Sequence, residues 1–123
     1  MINWEEKLKE KNIKVIDYMD KDLRYIYDDE TDTYFTCIDT MEDYYERNGL
    51  KMPKYAYGTY FESVKLDLDY ILESACEEHA EDIVYDLYGV SELREAIEKF
   101  NDINKGVGSY YPSYRTIVKL FID

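Results

Sequence analysis

Proline and glycine are scarce in this chain, two and five of 123 residues, and cysteine, tryptophan and histidine number two, one and one. So little proline and glycine leaves no material for a flexible linker, and there is neither an internal repeat nor a low-complexity tract. The two cysteines, Cys37 and Cys76, are far apart in sequence and could in principle pair, but a reducing compartment favours buried thiols, which is the expectation. Basic residues are also in deficit: 15 Lys and Arg stand against 28 Asp and Glu, for a net charge of −13. That balance argues against direct binding to nucleic acid, whose affinity comes largely from Lys and Arg displacing counterions. It disfavours an anionic membrane surface for the same reason. No run approaches the roughly 20 apolar residues of a spanning helix. The start, Met1-Ile2-Asn3-Trp4-Glu5-Glu6-Lys7, lacks the basic and apolar regions of a signal peptide, so a cytoplasmic location is expected.

What is present is enough apolar surface to fold. Hydrophobic residues make up 46% and aromatics 16%, with 15 tyrosines, which offsets chain entropy as an acidic disordered tail cannot. At this length one domain over residues 1–123 is expected. The charge is blocked: residues 1–15 sum to +1, 16–50 to −8, 51–66 to +2, 67–102 to −10 and 103–123 to +2. Two acidic blocks therefore carry the whole excess.

Periodicity supplies the elements. Asn3 with Glu6 marks a short helix to about Lys11, docked through Trp4 and Leu8. Residues 13–16 read as a strand. Residues 23–27 and 33–38, aromatic and β-branched, flank the acidic segment Asp28-Asp29-Glu30-Thr31-Asp32 as a hairpin. Thr40 with Asp43 opens a short helix over 41–47, closed by Asn48-Gly49. Residues 55–66 form a strand with a bend at Gly58. Leu68, Ile71, Leu72, Ala75, Cys76, His79, Ile83 and Leu87 share one face of a long helix over 67–87. Ser91 caps a second helix to about Asn104, and 114–122, apolar on both faces, is a central strand. The class is α+β: a small, mostly antiparallel sheet of about four to five strands packed against two main amphipathic helices.

Few residues offer chemistry. His79 has Cys76 and Asp82 at spacings that share a helix face, but it falls near the centre of the apolar face and reads as a packed histidine. A structural zinc site needs four N or S ligands, and Cys37, Cys76 and His79 are all there are. Asp28, Glu30, Asp32 and Asp39 lie on the calcium-loop spacing, yet Thr33 stands where that loop needs glycine and the flanks are strands. No cofactor is implied. The acidic surface is more informative. Asp69, Glu73, Glu77 and Glu81 fall at i, i+4 on the exposed face of the expected long helix, with Glu78, Asp82 and Asp86 in a second row. Such like-charge pairs cost a helix about 0.2–0.5 kcal/mol each. The plain reading is a solvated face that keeps the protein soluble; the functional one is a display of carboxylates for a basic partner. The abundance of tyrosine suits protein recognition too.

Ile71-Leu72-Glu73 with Glu78-His79-Ala80-Glu81-Asp82, then Gly89-Val90-Ser91-Glu92-Leu93 with Ala96-Ile97-Glu98-Lys99-Phe100-Asn101, and finally Ser109-Tyr110-Tyr111-Pro112-Ser113-Tyr114 resemble small acidic proteins encoded by bacteriophages and prophages. The resemblance covers roughly residues 52–121. Some members of that group carry a zinc-finger-like segment ahead of this part; here 25–48 holds only Cys37 and no histidine. In size and charge the chain is similar in type to anti-CRISPR and anti-restriction nucleic-acid mimics. The resemblance implies a mobile genetic element in a bacterial host cell and gives no activity; the acidic surface, with the similarity of type, leads to the expectation of a phage-derived, non-enzymatic inhibitor. On this reading Asp28, Asp29, Glu30, Asp32, Asp69, Glu73, Glu77, Glu78, Glu81 and Asp82 occupy the basic surface of a host nucleic-acid-binding protein or nuclease. The alternatives are a small metal-dependent or nucleotide-processing enzyme centred on His79, Asp82 and Asp86, and a phage structural protein that self-assembles, as a homodimer or larger, through its tyrosines.

Overall fold

The computed structural model describes residues 2–121; Met1, Ile122 and Asp123 lie outside the described residues, Ile122 being the end of the expected C-terminal strand. In chain order the elements are α1 (Trp4–Leu8), β1 (Lys14–Asp17), β2 (Ile26–Asp28), β3 (Thr33–Phe35), α2 (Ile38–Arg47), β4 (Tyr55–Ser63), α3 (Leu68–Cys76), a 3₁₀ turn (Ile83–Asp86), α4 (Val90–Ile103) and β5 (Gly108–Lys119). This is the expected α+β class, with an open, mostly antiparallel sheet of five strands. Among the described residues no helix is long and apolar enough to cross a membrane. The chain divides into two compact units, one made of the residues up to Phe61 and from Tyr110 onward, the other of Glu62–Ser109.

The strands of the first unit run in the order β1-β5-β4-β2-β3. β1 lies parallel to β5, with Lys14 opposite Thr116 and Asp17 opposite Lys119. β2 is antiparallel to β3, with Ile26 opposite Phe35, and to β4, with Tyr27 opposite Tyr57. Because side chains alternate along a strand, Ile26, Phe35 and Ala56 fall on one face, where they build the core with Met41 and Tyr45 of α2, Val118 and Leu120. Tyr27, Tyr34 and Tyr57 fall on the other, and Trp4 of α1 packs on Tyr55 and Tyr57 with ring centroids 5.8 and 5.1 Å away.

Several boundaries differ from expectation for local reasons. α2 starts at Ile38, not Met41, because Cys37 is its N-cap and Thr40 is the third residue of its first turn; the Thr40 hydroxyl donates back to the Cys37 carbonyl over 2.8 Å. That leaves Cys37 exposed instead of buried, and Cys76 half-buried. β4 runs straight through Gly58. A Cβ there would come within 2.8 Å of the Thr116 Cγ2, so the glycine lets two strands approach and makes no bend. β5 starts as early as Gly108 and carries Pro112 within it.

In the second unit the largest correction is the expected helix over 67–87. It ends at Cys76, followed by a turn and the 3₁₀ segment. The periodicity is genuine, but the charges oppose it. A continued helix would put Glu77, Glu78, Glu81 and Asp82 around its C-terminal end, where the macrodipole is negative and no basic residue sits in the last turn. α4 begins two residues earlier than expected, with Gly89 at φ 77° in the N-cap position in place of Ser91. Asn101 of α4 ties this unit together: its Oδ1 accepts from the Leu66 amide at 2.8 Å and its Nδ2 donates to the Leu66 carbonyl at 2.9 Å.

Candidate functional site

The first acidic block forms the β2–β3 hairpin, and the structure sorts its carboxylates into two kinds. Asp28 and Asp32 each accept from a tyrosine hydroxyl, Asp28 buried and Asp32 exposed. Asp28 is only 3% exposed, and its Oδ2 accepts hydrogen bonds from the Thr31 hydroxyl at 2.6 Å and from the buried Tyr45 hydroxyl. Asp32, at a positive φ of 49°, accepts from the Tyr27 hydroxyl at 2.6 Å. Asp/Asn are among the few residues that tolerate this backbone conformation. The expectation of Asp28 as one more exposed carboxylate is thereby corrected: burial and two donors on Oδ2 make it the hairpin's anchor. Asp29 and Glu30, at the tip, remain exposed.

In the second block Asp69, Glu73, Glu77, Glu78, Glu81 and Asp82 are all exposed. The four-carboxylate ladder is nevertheless shortened. Asp69 and Glu73 stand one helical step apart on α3, and Glu77, its C-cap with helical backbone angles, extends that row. Glu81 lies past the turn and Asp82 is the N-cap of the 3₁₀ segment, so neither shares the helical row. His79 is corrected as well. It is exposed, not packed in an apolar face, because the helix that would have carried it inward stops three residues before it. Asp82 and Asp86 are exposed beside it in sequence, and among the described residues no three His, Cys, Asp or Glu side chains come together to hold a metal ion.

Ion pairing is sparse. Among the described residues the pairs are Lys7 with Glu10, Arg47 with Asp43 and Lys105 with Asp102, each within one helical turn in sequence. None of the exposed candidate carboxylates takes part. An exposed carboxylate loses little by staying solvated, so these groups, outside every ion pair among the described residues, are available to an external cation.

The sequence reading missed the roles of particular tyrosines. Tyr27, Tyr57 and Tyr114 form an edge-to-face cluster that extends to Tyr34, and Tyr60 stacks near Tyr111. Tyr34, Tyr60, Tyr111 and Tyr114 keep 41–49% of their surface exposed. Tyr45 and Tyr27, both buried, instead serve as donors, to the buried Asp28 and the exposed Asp32. Burial and then the Asp28 hydrogen bond push the Tyr45 hydroxyl far above its ordinary value; for Tyr27 the Asp32 hydrogen bond leads and burial follows. Tyr57 is raised by burial and by the Asp29 charge. At Cys37, hydrogen bonds from the Thr40 backbone and side chain pull the thiol below its usual range. The alternation of aromatic and apolar residues in 25–28 was the available signal for the two-faced strand, but nothing in it says which tyrosine meets which carboxylate.

At the end of the sheet where β2 enters the hairpin and β4 begins lies a groove of about 1080 Å³, lined by Trp4, Tyr55, Met52, Tyr45 and Asp28–Thr31 among others. Comparison with protein-family models, curated proteins and solved structures gives no match. What the chain does therefore rests on its own residues.

Proposed function

We propose that this protein is a non-enzymatic, phage-derived inhibitor of the anti-CRISPR or anti-restriction type. Its exposed carboxylates occupy the basic nucleic-acid-binding surface of a defence protein in the bacterial cytoplasm. The observation that carries the reading is the row Asp69, Glu73 and Glu77, exposed along α3 and its cap and, among the described residues, outside every ion pair. Asp29 and Glu30 offer a second such pair on the first unit. A step of four helical residues is about 6 Å, less than two phosphate spacings of about 3.4 Å along a DNA strand. A groove shaped for phosphates can accept such a row, and the charge of −13 would steer a basic partner toward it.

The test is the triple variant Asp69→Lys, Glu73→Lys, Glu77→Lys. It reverses the row; α3 gains a cation at its C-terminus and loses an acid from its first turn, effects of opposite sign on exposed positions, so the fold is retained and binding is lost. A folded variant that still binds and inhibits would refute the reading. A second reading, self-assembly through the half-exposed Tyr34, Tyr60, Tyr111 and Tyr114, is favoured by their exposure. Size-exclusion chromatography at two concentrations separates it, since a monomer at both rules it out.

A further inference from the structure

The groove at the β2–β4 end of the sheet combines features that the acidic surface alone does not have. Its apolar lining includes Trp4, Leu8, Leu50, Met52, Pro53 and Tyr55, and its acidic lining Glu5, Asp28, Asp29 and Glu30. Asp28 is the informative member. Both of its hydrogen bonds fall on Oδ2, and among the described residues no donor meets Oδ1. A buried carboxylate oxygen without a donor is costly. Among the described residues no fully buried side-chain oxygen lacks a partner, so Oδ1 is not sealed in; it retains contact with open space, and the space Asp28 lines is this groove. A carboxylate at once nine-tenths buried and half-satisfied, in a groove with aromatic walls, calls for a cationic donor on an apolar stem.

We infer that this groove receives an extended segment of the partner protein bearing one arginine, whose guanidinium meets Asp28 Oδ1 together with Asp29 or Glu30. The inference rests on the basic-partner reading above and names the group that partner presents. Arginine fits better than lysine. Its planar fork donates to two carboxylates at once and stacks on aromatic rings, where an ammonium acts as a hydrated point charge. Residues flanking it lie over Trp4 and Tyr55. Lys51 and Lys54, which also line the groove, offer donors to the carbonyl oxygens of the segment and oppose a second arginine.

Trp4, the one tryptophan in the chain, reports directly on occupancy. A short peptide with one central arginine among apolar residues is titrated while Trp4 fluorescence is followed, in parallel with its citrulline counterpart, which keeps the shape and loses the charge. The expected result is a saturable change for the arginine peptide and at least tenfold weaker binding for the citrulline one. Asp29→Asn with Glu30→Gln, at two exposed positions that leave the Asp28 anchor intact, should weaken the arginine peptide several-fold and leave the citrulline peptide unchanged. Agmatine, a free guanidinium on an alkyl stem, should compete only at concentrations at least tenfold above the peptide; equal potency would overturn a partner-borne source. Equal binding of arginine and citrulline peptides, or no saturable change, would overturn the inference. The Asp69, Glu73, Glu77 triple variant separates the two readings. It should lose the partner yet titrate with the arginine peptide as the wild type does, whereas a groove that fails while the partner still binds leaves the α3 row standing alone.

Discussion

Raising the pH should unfold this protein through three buried tyrosines, and the steepness of the fall follows from the structure. Tyr45 is 2% exposed, with its hydroxyl on the Asp28 carboxylate; Tyr27 is hydrogen-bonded to Asp32; Tyr57 is buried within reach of the Asp29 charge. Each is held above the ordinary tyrosine value of 10.0. Above pH 10 the unfolded chain releases these protons while the folded chain keeps them. Their contribution to stability is therefore complete below pH 10 and is lost as the pH rises through the folded values. Each such group changes stability by about 1.4 kcal/mol per pH unit in that window, so the three together give about 4 kcal/mol per pH unit. A domain with the usual margin of about 5–15 kcal/mol has little left after two or three such units. Urea denaturation followed by far-ultraviolet ellipticity, from about pH 8 to about pH 11, measures the slope. Tyr45→Phe divides the effect. At neutral pH it costs about 1.5–3 kcal/mol, because Asp28 keeps only the Thr31 donor. Above pH 10 its slope is shallower than that of the wild type by about 1.4 kcal/mol per pH unit. Equal stability at the two ends of the range, or parallel slopes for the two proteins, would refute the assignment of Tyr45 as the buried donor.

Other expectations concern charge, space and a single amide. Glu77→Lys alone should gain about 0.3–1 kcal/mol from a cation at the α3 C-terminus, read as a higher melting temperature, and a clear loss of stability would contradict the dipole argument for where α3 ends; in the Asp69→Lys, Glu73→Lys, Glu77→Lys variant that gain is offset by the loss of Asp69 from the first turn, so it should melt close to the wild type while losing its partner. Gly108→Ala should destabilise by about 3 kcal/mol or more, since its Cβ would lie 2.0 Å from the Glu62 carbonyl oxygen, whereas Gly106→Ala, with nothing within 4 Å, should be neutral by the same melt. Asn101→Ala removes both hydrogen bonds to Leu66 and should cost about 1–3 kcal/mol, with faster amide exchange at Leu66; unchanged exchange there would show the tie to be unimportant.

The elements that sequence alone conveyed are those with local signals. The Asn3 cap does accept from the Glu6 amide, at 3.3 Å, and the acidic hairpin and a C-terminal strand both exist, although the hairpin strands are shorter than the aromatic and β-branched runs and β5 starts six residues before Tyr114. The long helix over 67–87 is the instructive failure. Hydrophobic spacing carried the prediction past Cys76, although the same residues placed carboxylates at the end of the helix where the dipole opposes them. Two competing periodic terms were legible, and the electrostatic one prevailed. The pairing of β1 with β5 was not legible, because a parallel contact between residues about a hundred positions apart leaves no local trace. The site divides in the same way. Exposure of Asp29, Glu30, Asp69, Glu73 and Glu77 could be anticipated from charge alone, but the capture of Asp28 by Tyr45 joins a strand to a helix and depends on tertiary packing.

The most direct test of the central claim is capture by the tagged protein from nuclease-treated bacterial lysate at low and high salt, with DNA as competitor and the captured protein identified by mass. The account predicts one basic nucleic-acid-binding protein, released by salt, displaced by DNA and absent when the triple-lysine variant is the bait. A partner that ignores both salt and DNA, or that binds the folded triple-lysine variant equally well, would contradict it.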